Sequence, residues 1–194
     1  MYLDSPYTTF DPETGRYSHN ETNRWDNYRN RDRYNYTLDI KIKVPKNTSV
    51  KLNAINGGVI EARGIDAKLI SANNINGPIT LENIAGQTHV NALNKDINIS
   101  YSKNPTEEST YKSLNGDINI TFQKAFNAHV SHKTLNGDMY TNMETTKIPS
   151  KINVEKTGKK IARYKVNSNS EFKIGKGGVQ LNFDLLNGDV TIKN

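Results

Sequence analysis

The pattern of apolar and polar residues in this chain repeats around a short turn sequence. Nearly the same eight letters occur as SLNGDINI (113–120), TLNGDMYT (134–141), LLNGDVTI (185–192) and ALNKDINI (92–99). The asparagine of the turn recurs with gaps of 20, 18, 21, 21 and 51 residues, at Asn56, Asn76, Asn94, Asn115, Asn136 and Asn187. A regular period of this length indicates a stack of similar supersecondary units.

Apolar columns accompany the asparagine in the successive copies. Glycine follows it in every copy but one, in which Lys95 takes that position. Glycine suits a tight turn that needs positive φ. An apolar residue directly precedes it in every copy, at Ile55, Ile75, Leu93, Leu114, Leu135 and Leu186. Another lies three positions after it, at Val59, Ile79, Ile97, Ile118, Met139 and Val190. Four copies are apolar again two positions later, at Leu81, Ile99, Ile120 and Ile192. This alternation predicts a strand after each turn, and we expect the columns before and three after the asparagine to point inward.

The columns predict an all-β fold, namely a single-stranded β-helix (β-solenoid) with Asn-Gly corners and a coil of about 20 residues. Stacked coils place each side chain about 4.8 Å from its counterpart, which explains why the same residue types recur in every copy. Second corners are predicted at ARGID (62–66) and NIAGQ (83–87). The general chirality of parallel crossovers favours right-handed coiling.

The sequence predicts two regions, a polar and aromatic capping segment at 1–37 and a solenoid domain at 38–194. Strict alternation from Arg33 to Val44 predicts a strand that Pro45 ends. The long gap before the sixth turn contains an insertion at about 144–172, and a last coil follows at 179–194. Covered ends would protect the open strand edges of a solenoid.

Four segments resemble an adhesin family of bacterial β-solenoid domains that is common in Bacteroidetes. They are IKVPKNTSVKLNAINGG, NINGPITLENIAG, SLNGDINITF and FKIGKGGVQLNFDLLNGDVTI, and the resemblance covers roughly residues 38–194. The resemblance implies an exported, envelope-associated or surface domain without known enzymatic activity. It supplies no catalytic residues to transfer to this chain.

Most of the formal net charge of +6 lies in one short stretch. KINVEKTGKKIARYK (151–165) contains six basic residues against Glu155, a net charge of +5. We expect an anionic partner, such as an acidic glycan, an envelope component or lipid head groups, to contact the basic side chains Lys156, Lys159, Lys160, Arg163 and Lys165. The alternative interpretation is a solvated basic hairpin that protects a strand edge.

An aspartate column raises the question of a metal site. Stacking would bring neighbouring carboxylates to about 5 Å, where Ca²⁺ could relieve their repulsion. The column consists of Asp96, Asp117, Asp138 and Asp189. The favoured interpretation has no metal, because each aspartate can accept hydrogen bonds from the backbone amides of its own turn.

The remaining candidate motifs have structural explanations. His129 and His132 are three residues apart, which places them on opposite faces of a strand. His132 shares a column with apolar and aromatic residues and is predicted to be buried or at the rim of the core. GKGG (175–178) lacks the ending of a phosphate-binding loop and predicts a turn.

Composition excludes several function classes. The absence of cysteine rules out disulfides and thiolate sites. No apolar run is long enough to span a membrane, and the start MYLDSPYTTF has no features of a signal peptide. Because the family resemblance implies export, we expect the export signal to be missing from this sequence. RWDNYRNRDRYNY (24–36) has a net charge of only +2, too little for nucleic-acid binding.

We therefore expect a domain that is not an enzyme and has no cofactor. Its expected location is extracellular, at the cell surface or in the periplasm, and its expected role is that of an adhesin-like scaffold or binding domain. Oligomers could form through the solenoid edges. The alternative is a polysaccharide-binding or polysaccharide-lyase-like β-helix that acts on acidic glycans.

Overall fold

The computed structural model describes residues 8–14, 16–19, 39–55, 58–149, 152–157, 161–166 and 169–194. Within these ranges all the regular structure is β-strand, and the predicted all-β class is confirmed. The chain divides into two compact units, Met1–Ile42 and Lys43–Asn194.

The first unit contains a short antiparallel hairpin. Its strands are β1 (Thr8–Asp11) and β2 (Arg16–His19), with Asp11 opposite Arg16. Asp11 caps the connecting turn, because its carboxylate accepts the Glu13 amide at 2.9 Å and the Thr14 hydroxyl at 2.6 Å. The bond from Thr14 is the main reason that the pKa of Asp11 lies below its ordinary value.

The strands of the second unit are short and closely spaced. They are β3 (Val50–Ala54), β4 (Ile60–Arg63), β5 (Asp66–Asn74), β6 (Ile79–Ala92), β7 (Ile97–Tyr101), β8 (Ser109–Asn115), β9 (Ile118–Thr121), β10 (Ala128–Lys133), β11 (Met139–Thr141), β12 (Thr145–Ile148), β13 (Ile152–Thr157), β14 (Ile161–Val166), β15 (Ser170–Ile174), β16 (Val179–Asn187) and β17 (Val190–Lys193).

Two parallel ladders run through these strands. In the first ladder the order is β3, β5, the second half of β6, β8, β16 and β10. In the second ladder it is β4, the first half of β6, β7, β9, β17 and β11. Each repeat contributes one strand to each ladder, so the second unit is a solenoid-like stack.

The repeats do not stack in chain order. β16 pairs with β8 on one side and with β10 on the other, and β17 lies likewise between β9 and β11. The coil that is last in the sequence therefore occupies the fifth place, and the repeat of Asn136 occupies the sixth. The loop at 122–127 connects β9 to β10 and advances by two strand spacings along the stack, about 9.6 Å instead of 4.8 Å. The skipped position is occupied by β16 and β17.

The predicted insertion at about 144–172 adds antiparallel strands. β15 pairs with β10, and β12 pairs with β15, which extends the first ladder beyond the sixth repeat. β13 and β14 form a separate hairpin between β12 and β15 in the chain. GKGG then forms a turn, in which Gly177 donates its amide to the Ile174 carbonyl at 3.1 Å and Gly175 has a φ of 57°. The turn prediction is confirmed.

Columns of apolar side chains fill the interior of the stack. The column three residues after the asparagine is buried in four repeats, at Ile79, Ile97, Ile118 and Val190, as predicted. Met139 is half-buried in the sixth repeat, whereas Val59 in the first repeat is 58% exposed. The column two positions later is also buried, at Leu81, Ile99, Ile120 and Ile192.

The apolar column directly before the asparagine points outward, so its predicted inward direction is wrong. In stacking order its exposed members are Ile55, Ile75, Leu93, Leu114, Leu186 and Leu135. The residue one position earlier takes the inward place, at Asn74, Ala92, Ser113 and Leu185. Since side chains alternate along a strand, the next residue must face solvent. We call the six exposed residues that directly precede the turn asparagines the outward apolar column.

Aromatic residues close the interior at the end of the coils that lies away from the asparagine turns. Tyr101 stacks on Phe122 at 5.1 Å between ring centroids, and Phe122 stacks on Phe126 at 4.1 Å. The Tyr101 hydroxyl lies 2.6 Å from the Tyr111 hydroxyl in a buried hydrogen bond. Offset stacks of this kind stabilise a core beyond the area that they bury.

The chain passes from the second ladder back to the first near the predicted second corners. Gly64 has a φ of 64° between β4 and β5. Asn83 and Gly86, with φ values of 53° and 118°, lie inside the continuous β6, where its partner changes from β7 to β8.

The predicted strand at 33–44 is not formed over residues 39–44, which have no regular structure. Ile40 and Ile42 are 62% and 73% exposed. Alternation alone does not make a strand, because its backbone groups also need a hydrogen-bonding partner. Residues 33–38 lie outside the described ranges, and so does most of the predicted capping segment.

Candidate functional site

The outer face of the first ladder carries rows of polar side chains that continue from repeat to repeat. One row crosses β5, β6, β8, β16, β10 and β15, at Ser71, His89, Thr110, Asn182, Ser131 and Glu171. All six are partly exposed, while their neighbours along the strands, such as Ile70, Ala72 and Val130, are buried. Strand alternation thus separates an apolar interior from a polar, solvent-facing surface.

A depression of about 230 Å³ lies where this face passes from parallel to antiparallel strands. We call it the polar depression, and its lining consists of His129, Val130, Ser131, Ile148, Glu171, Gln180 and Asn182. Three neighbouring strands and the outermost β12 contribute to it. The lining combines amide, hydroxyl, imidazole and carboxylate groups, which together can donate to and accept from a hydroxyl-rich ligand.

Hydrogen bonds hold the amides of the polar depression in place. Gln180 donates its amide to Asn182 Oδ1 at 2.9 Å, and Asn182 donates to Glu108 Oε1 at 2.6 Å. Asn169 donates to the Ser131 hydroxyl at 3.4 Å. The side chains are therefore oriented before any ligand arrives, which lowers the entropic cost of binding.

The two nearby histidines face opposite sides of β10, as predicted. His129 lines the polar depression, and a side chain at Gly177 would come within 2.6 Å of its Nε2, so the glycine leaves room for the imidazole. His132 is buried and stands opposite Phe183, and its Nε2 has no hydrogen-bond partner among the described residues. Burial lowers the pKa of His132, with a smaller opposing effect from Asp138.

The five predicted ligand-binding residues fall in or beside one hairpin. Lys156 belongs to β13, and Arg163 and Lys165 belong to β14, with Arg163 opposite Glu155 in the register. Lys159 and Lys160 lie in the connection, outside the described ranges. We call β13, β14 and their connection the basic hairpin; the binding role of its residues stays a prediction.

Chain length keeps the basic hairpin close to the polar depression. Its first strand begins four residues after Ile148, and its second strand ends five residues before Glu171. Both of these anchor residues line the polar depression. At about 3.3–3.6 Å per residue, the base of the hairpin can lie no further than about 14–18 Å from them.

Asparagine and aspartate side chains form two ladders along the turns. Asn187 donates to Asn115 at 2.7 Å and Asn136 donates to Asn187 at 2.8 Å, which continues a ladder through Asn94 and Asn76. These bonds follow the stacking order rather than the chain order.

In the described part of the chain, three of the four aspartate carboxylates accept hydrogen bonds from the neighbouring repeat rather than from their own turn, which corrects the prediction. The amides of Asp117, Asp189 and Asp138 donate to the carboxylates of Asp96, Asp117 and Asp189 at 2.8–2.9 Å. Within the part of the chain that the structure describes, no group of three or more His, Asp or Glu side chains is placed to hold a metal ion.

The buried tyrosine pair is unsuited to acid–base chemistry. Burial raises the pKa of Tyr101 to about 12 and raises the pKa of Tyr111 well above its ordinary value. Both hydroxyls therefore stay protonated at neutral pH, and they contribute a core hydrogen bond.

Sequence reasoning did not find the polar depression. Its residues come from β10, β12, β15 and β16, and two of these strands belong to the stretch that leaves the repeat. The available signal was the alternation in AHVSHK and VQLNFD, which puts His129, Ser131, Gln180 and Asn182 on the polar side of their strands. That signal places a residue on a face but does not say which strands are neighbours.

Comparison with known proteins now assigns the fold to a family. Residues 38–193 match the profile described as Toastrack DUF4097. The chain belongs to the Toastrack DUF4097 family. The matched region includes every repeat of the stack, and the Toastrack domain is a β-rich, repeat-like domain of unknown function. No curated protein and no solved structure matches the chain.

The Toastrack match agrees with the expected solenoid-like repeat domain, but it carries no information about adhesion or about a bacterial group. In the described ranges, no helix has the length and apolar character needed to cross a membrane.

Proposed function

We propose that this Toastrack chain is a non-enzymatic, adhesin-like scaffold and binding domain of the cell envelope or cell surface. The proposed ligand is an acidic polysaccharide, held on the outer face of the first ladder. The observation that carries the proposal is the short tether between the basic hairpin and two residues that line the polar depression, Ile148 and Glu171.

The two parts of this surface suit different groups of such a ligand. Oriented amides and hydroxyls of the polar depression can exchange hydrogen bonds with sugar hydroxyls. The basic side chains of the hairpin can attract carboxylate or sulfate groups over a distance of about one Debye length. Recognition on the outside is also expected because ladders of apolar side chains fill the interior.

We further propose that the stack is a right-handed single-stranded β-helix with a coil of about 20 residues and Asn-Gly corners. The parallel register supports the coil length, since Val50 pairs with Ile70 and Ile60 pairs with Ile79. Right-handed crossovers between parallel strands support the handedness.

Neutralisation of the basic hairpin tests the proposed function. Replacing Lys156, Lys159, Lys160, Arg163 and Lys165 by glutamine lowers the formal net charge from +6 to +1. We expect the affinity for acidic polysaccharides, measured by titration calorimetry, to fall about tenfold or more, because charge attraction is lost. The circular dichroism spectrum should not change.

A matched control separates location from net charge. Glutamine at five exposed lysines elsewhere in the chain produces the same charge change, at Lys41, Lys43, Lys46, Lys51 and Lys68. This control should retain most of the affinity. Equal losses in both variants would show that only net charge matters and would contradict a localised site.

A separate variant tests the polar depression in the same calorimetric assay. Gln180→Ala removes an oriented amide without changing any charge. We expect weaker binding with an unchanged dependence on salt concentration, whereas the neutralised hairpin should flatten that dependence. An unaltered affinity for Gln180→Ala would remove the polar depression from the proposed site.

His129 and Glu171 give a specific reason to consider the alternative, a polysaccharide lyase. Both line the polar depression, and an imidazole and a carboxylate are common acid–base groups. A lyase would release unsaturated sugars that absorb ultraviolet light. We expect no such absorbance during long incubation with acidic polysaccharides, and its appearance would contradict the non-enzymatic proposal.

A further inference from the structure

The outer edge of β4 has backbone groups without a partner in the described ranges. On its other side β4 pairs with β6, where the amides of Ile60 and Gly64 donate to the carbonyls of Pro78 and Glu82 at 3.2 and 2.8 Å. Backbone groups of successive strand residues point to alternate sides. Since Ile60 and Gly64 face β6, the amides and carbonyls of Glu61 and Arg63 point away from it.

The sequence of this edge is complementary to itself. In an antiparallel pair of β4 strands centred on Ala62, Glu61 stands opposite the partner's Arg63, and Arg63 stands opposite the partner's Glu61. These are the residues with outward-directed backbone groups, so each opposing pair can exchange two backbone hydrogen bonds. Their side chains are 58% and 67% exposed, which leaves them accessible for cross-strand ion pairs.

We propose that β4 is a self-association edge that pairs antiparallel with β4 of a second copy of this chain. The dimer has two-fold symmetry, and the axis passes between the two Ala62 residues. Four backbone hydrogen bonds and two ion pairs hold it together. In the single chain Arg63 lies 3.3 Å from Glu82 on β6 and 3.9 Å from its own Glu61, so in the dimer its guanidinium is shared between these carboxylates and the partner's Glu61.

Such an edge contact buries less area than the roughly 1,200 Å² of the smallest stable interfaces, so the dimer is weak in dilute solution. It becomes populated where copies are concentrated, and two linked copies would bind a repetitive ligand with higher avidity. The competing explanation is that Glu61 and Arg63 only discourage edge pairing, as charges on edge strands often do. That explanation predicts a monomer at all concentrations.

Single cysteines test the register directly, because the chain has no cysteine of its own. In the proposed dimer the two Ala62 Cα atoms are about 4.5 Å apart, within the disulfide range. Ala62→Cys should therefore form a covalent dimer on mild oxidation. Glu61→Cys is the control: it is more exposed, but its symmetry mate lies diagonally about 7–8 Å away. Absence of the Ala62→Cys dimer, or equal cross-linking of both variants, would overturn the proposal.

Charge variants test the ion pairs without oxidation. Glu61→Arg alone and Arg63→Glu alone place like charges opposite each other, and each should weaken dimerisation about tenfold or more in analytical ultracentrifugation. Mixing the two variants restores opposite charges across the edge and should restore association as a heterodimer. A mixture that stays as monomeric as its components would contradict this edge, and spectra of the separate variants would show whether each is folded.

Discussion

At the scale of single residues, the direction of a side chain depends on its position relative to the turn. The column directly before the asparagine and the column three residues after it are both apolar throughout, yet Ile118 is fully buried and Leu114 is 37% exposed. The turn residues separate two strands whose alternation is set independently, so identical residue types on either side need not share a face. The apolar composition predicted both columns, but it could not predict which way the side chains of the column directly before the asparagine point.

Truncation of these two residues should have unequal costs. Ile118→Ala removes a side chain that contacts its counterparts above and below, and should lower the free energy of unfolding by about 2–5 kcal/mol. Leu114→Ala in the outward apolar column should cost less than about 1 kcal/mol. Urea denaturation of both variants measures the difference, and comparable losses would show that the outward column is buried.

Acidification should weaken the fold through His132. Burial holds the pKa of His132 below its ordinary value of 6.5, so the unfolded chain takes up the proton first. The histidine therefore costs no stability above about pH 6.5, and stability falls as the pH drops from there toward the folded-state pKa.

His132→Leu should remove that part of the pH dependence. Melting temperatures are measured at about pH 7.5 and pH 5.5, on either side of the ordinary histidine pKa. Both pH values lie above the ordinary pKa values of the carboxylates, so carboxylate titration contributes little to the difference. We expect a larger fall for the natural chain than for His132→Leu. Equal falls would show that His132 is not buried in its neutral form.

At the scale of elements, the sequence is most informative where a turn and a ladder reinforce each other. NGD followed by alternation predicted the strands after the turns, and GKGG predicted a turn, because both depend on local backbone geometry. The strand predicted before Pro45 is not formed over 39–44, where the described ranges offer no neighbouring strand to pair with. The polar depression was missed for a related reason: its strands become neighbours only through long-range pairing.

The turn glycines also have an element-scale role, since they let neighbouring turns approach closely. A Cβ on Gly116 would lie 2.6 Å from the Lys95 backbone, and the residue has a φ of 156°. Gly64 has a φ of 64°, but its Cβ would meet no atom of the described residues within 4 Å.

Alanine at these two glycines should separate a clash from backbone strain. Gly64→Ala should cost about 1–2 kcal/mol, the penalty for a left-handed residue with a Cβ. Gly116→Ala should cost more, because the Cβ pushes apart two turns that stack on each other. Thermal unfolding compares them, and a milder effect at Gly116 would contradict the close stacking of the turns.

At the scale of the whole second unit, the order of the repeats is the property that the sequence conceals. Local patterns identify each repeat equally well, but nothing in the 51-residue gap shows where the copy that is last in the sequence joins the stack. The structure places it between β8–β9 and β10–β11, so residues far apart in the chain must meet before the stack is complete. Long-range pairing of this kind slows folding.

Disulfide mapping of one three-cysteine variant tests this order most directly. Cysteine replaces Asn115, Asn136 and Asn187, which are consecutive in the asparagine ladder in the order 115, 187, 136. We predict disulfides of residue 187 with 115 or with 136 and none between 115 and 136, because those two lie about 9.6 Å apart, beyond the limit of about 7 Å. A disulfide between residues 115 and 136 in the folded monomer would mean that the repeats stack in chain order, and it would contradict the architecture described above.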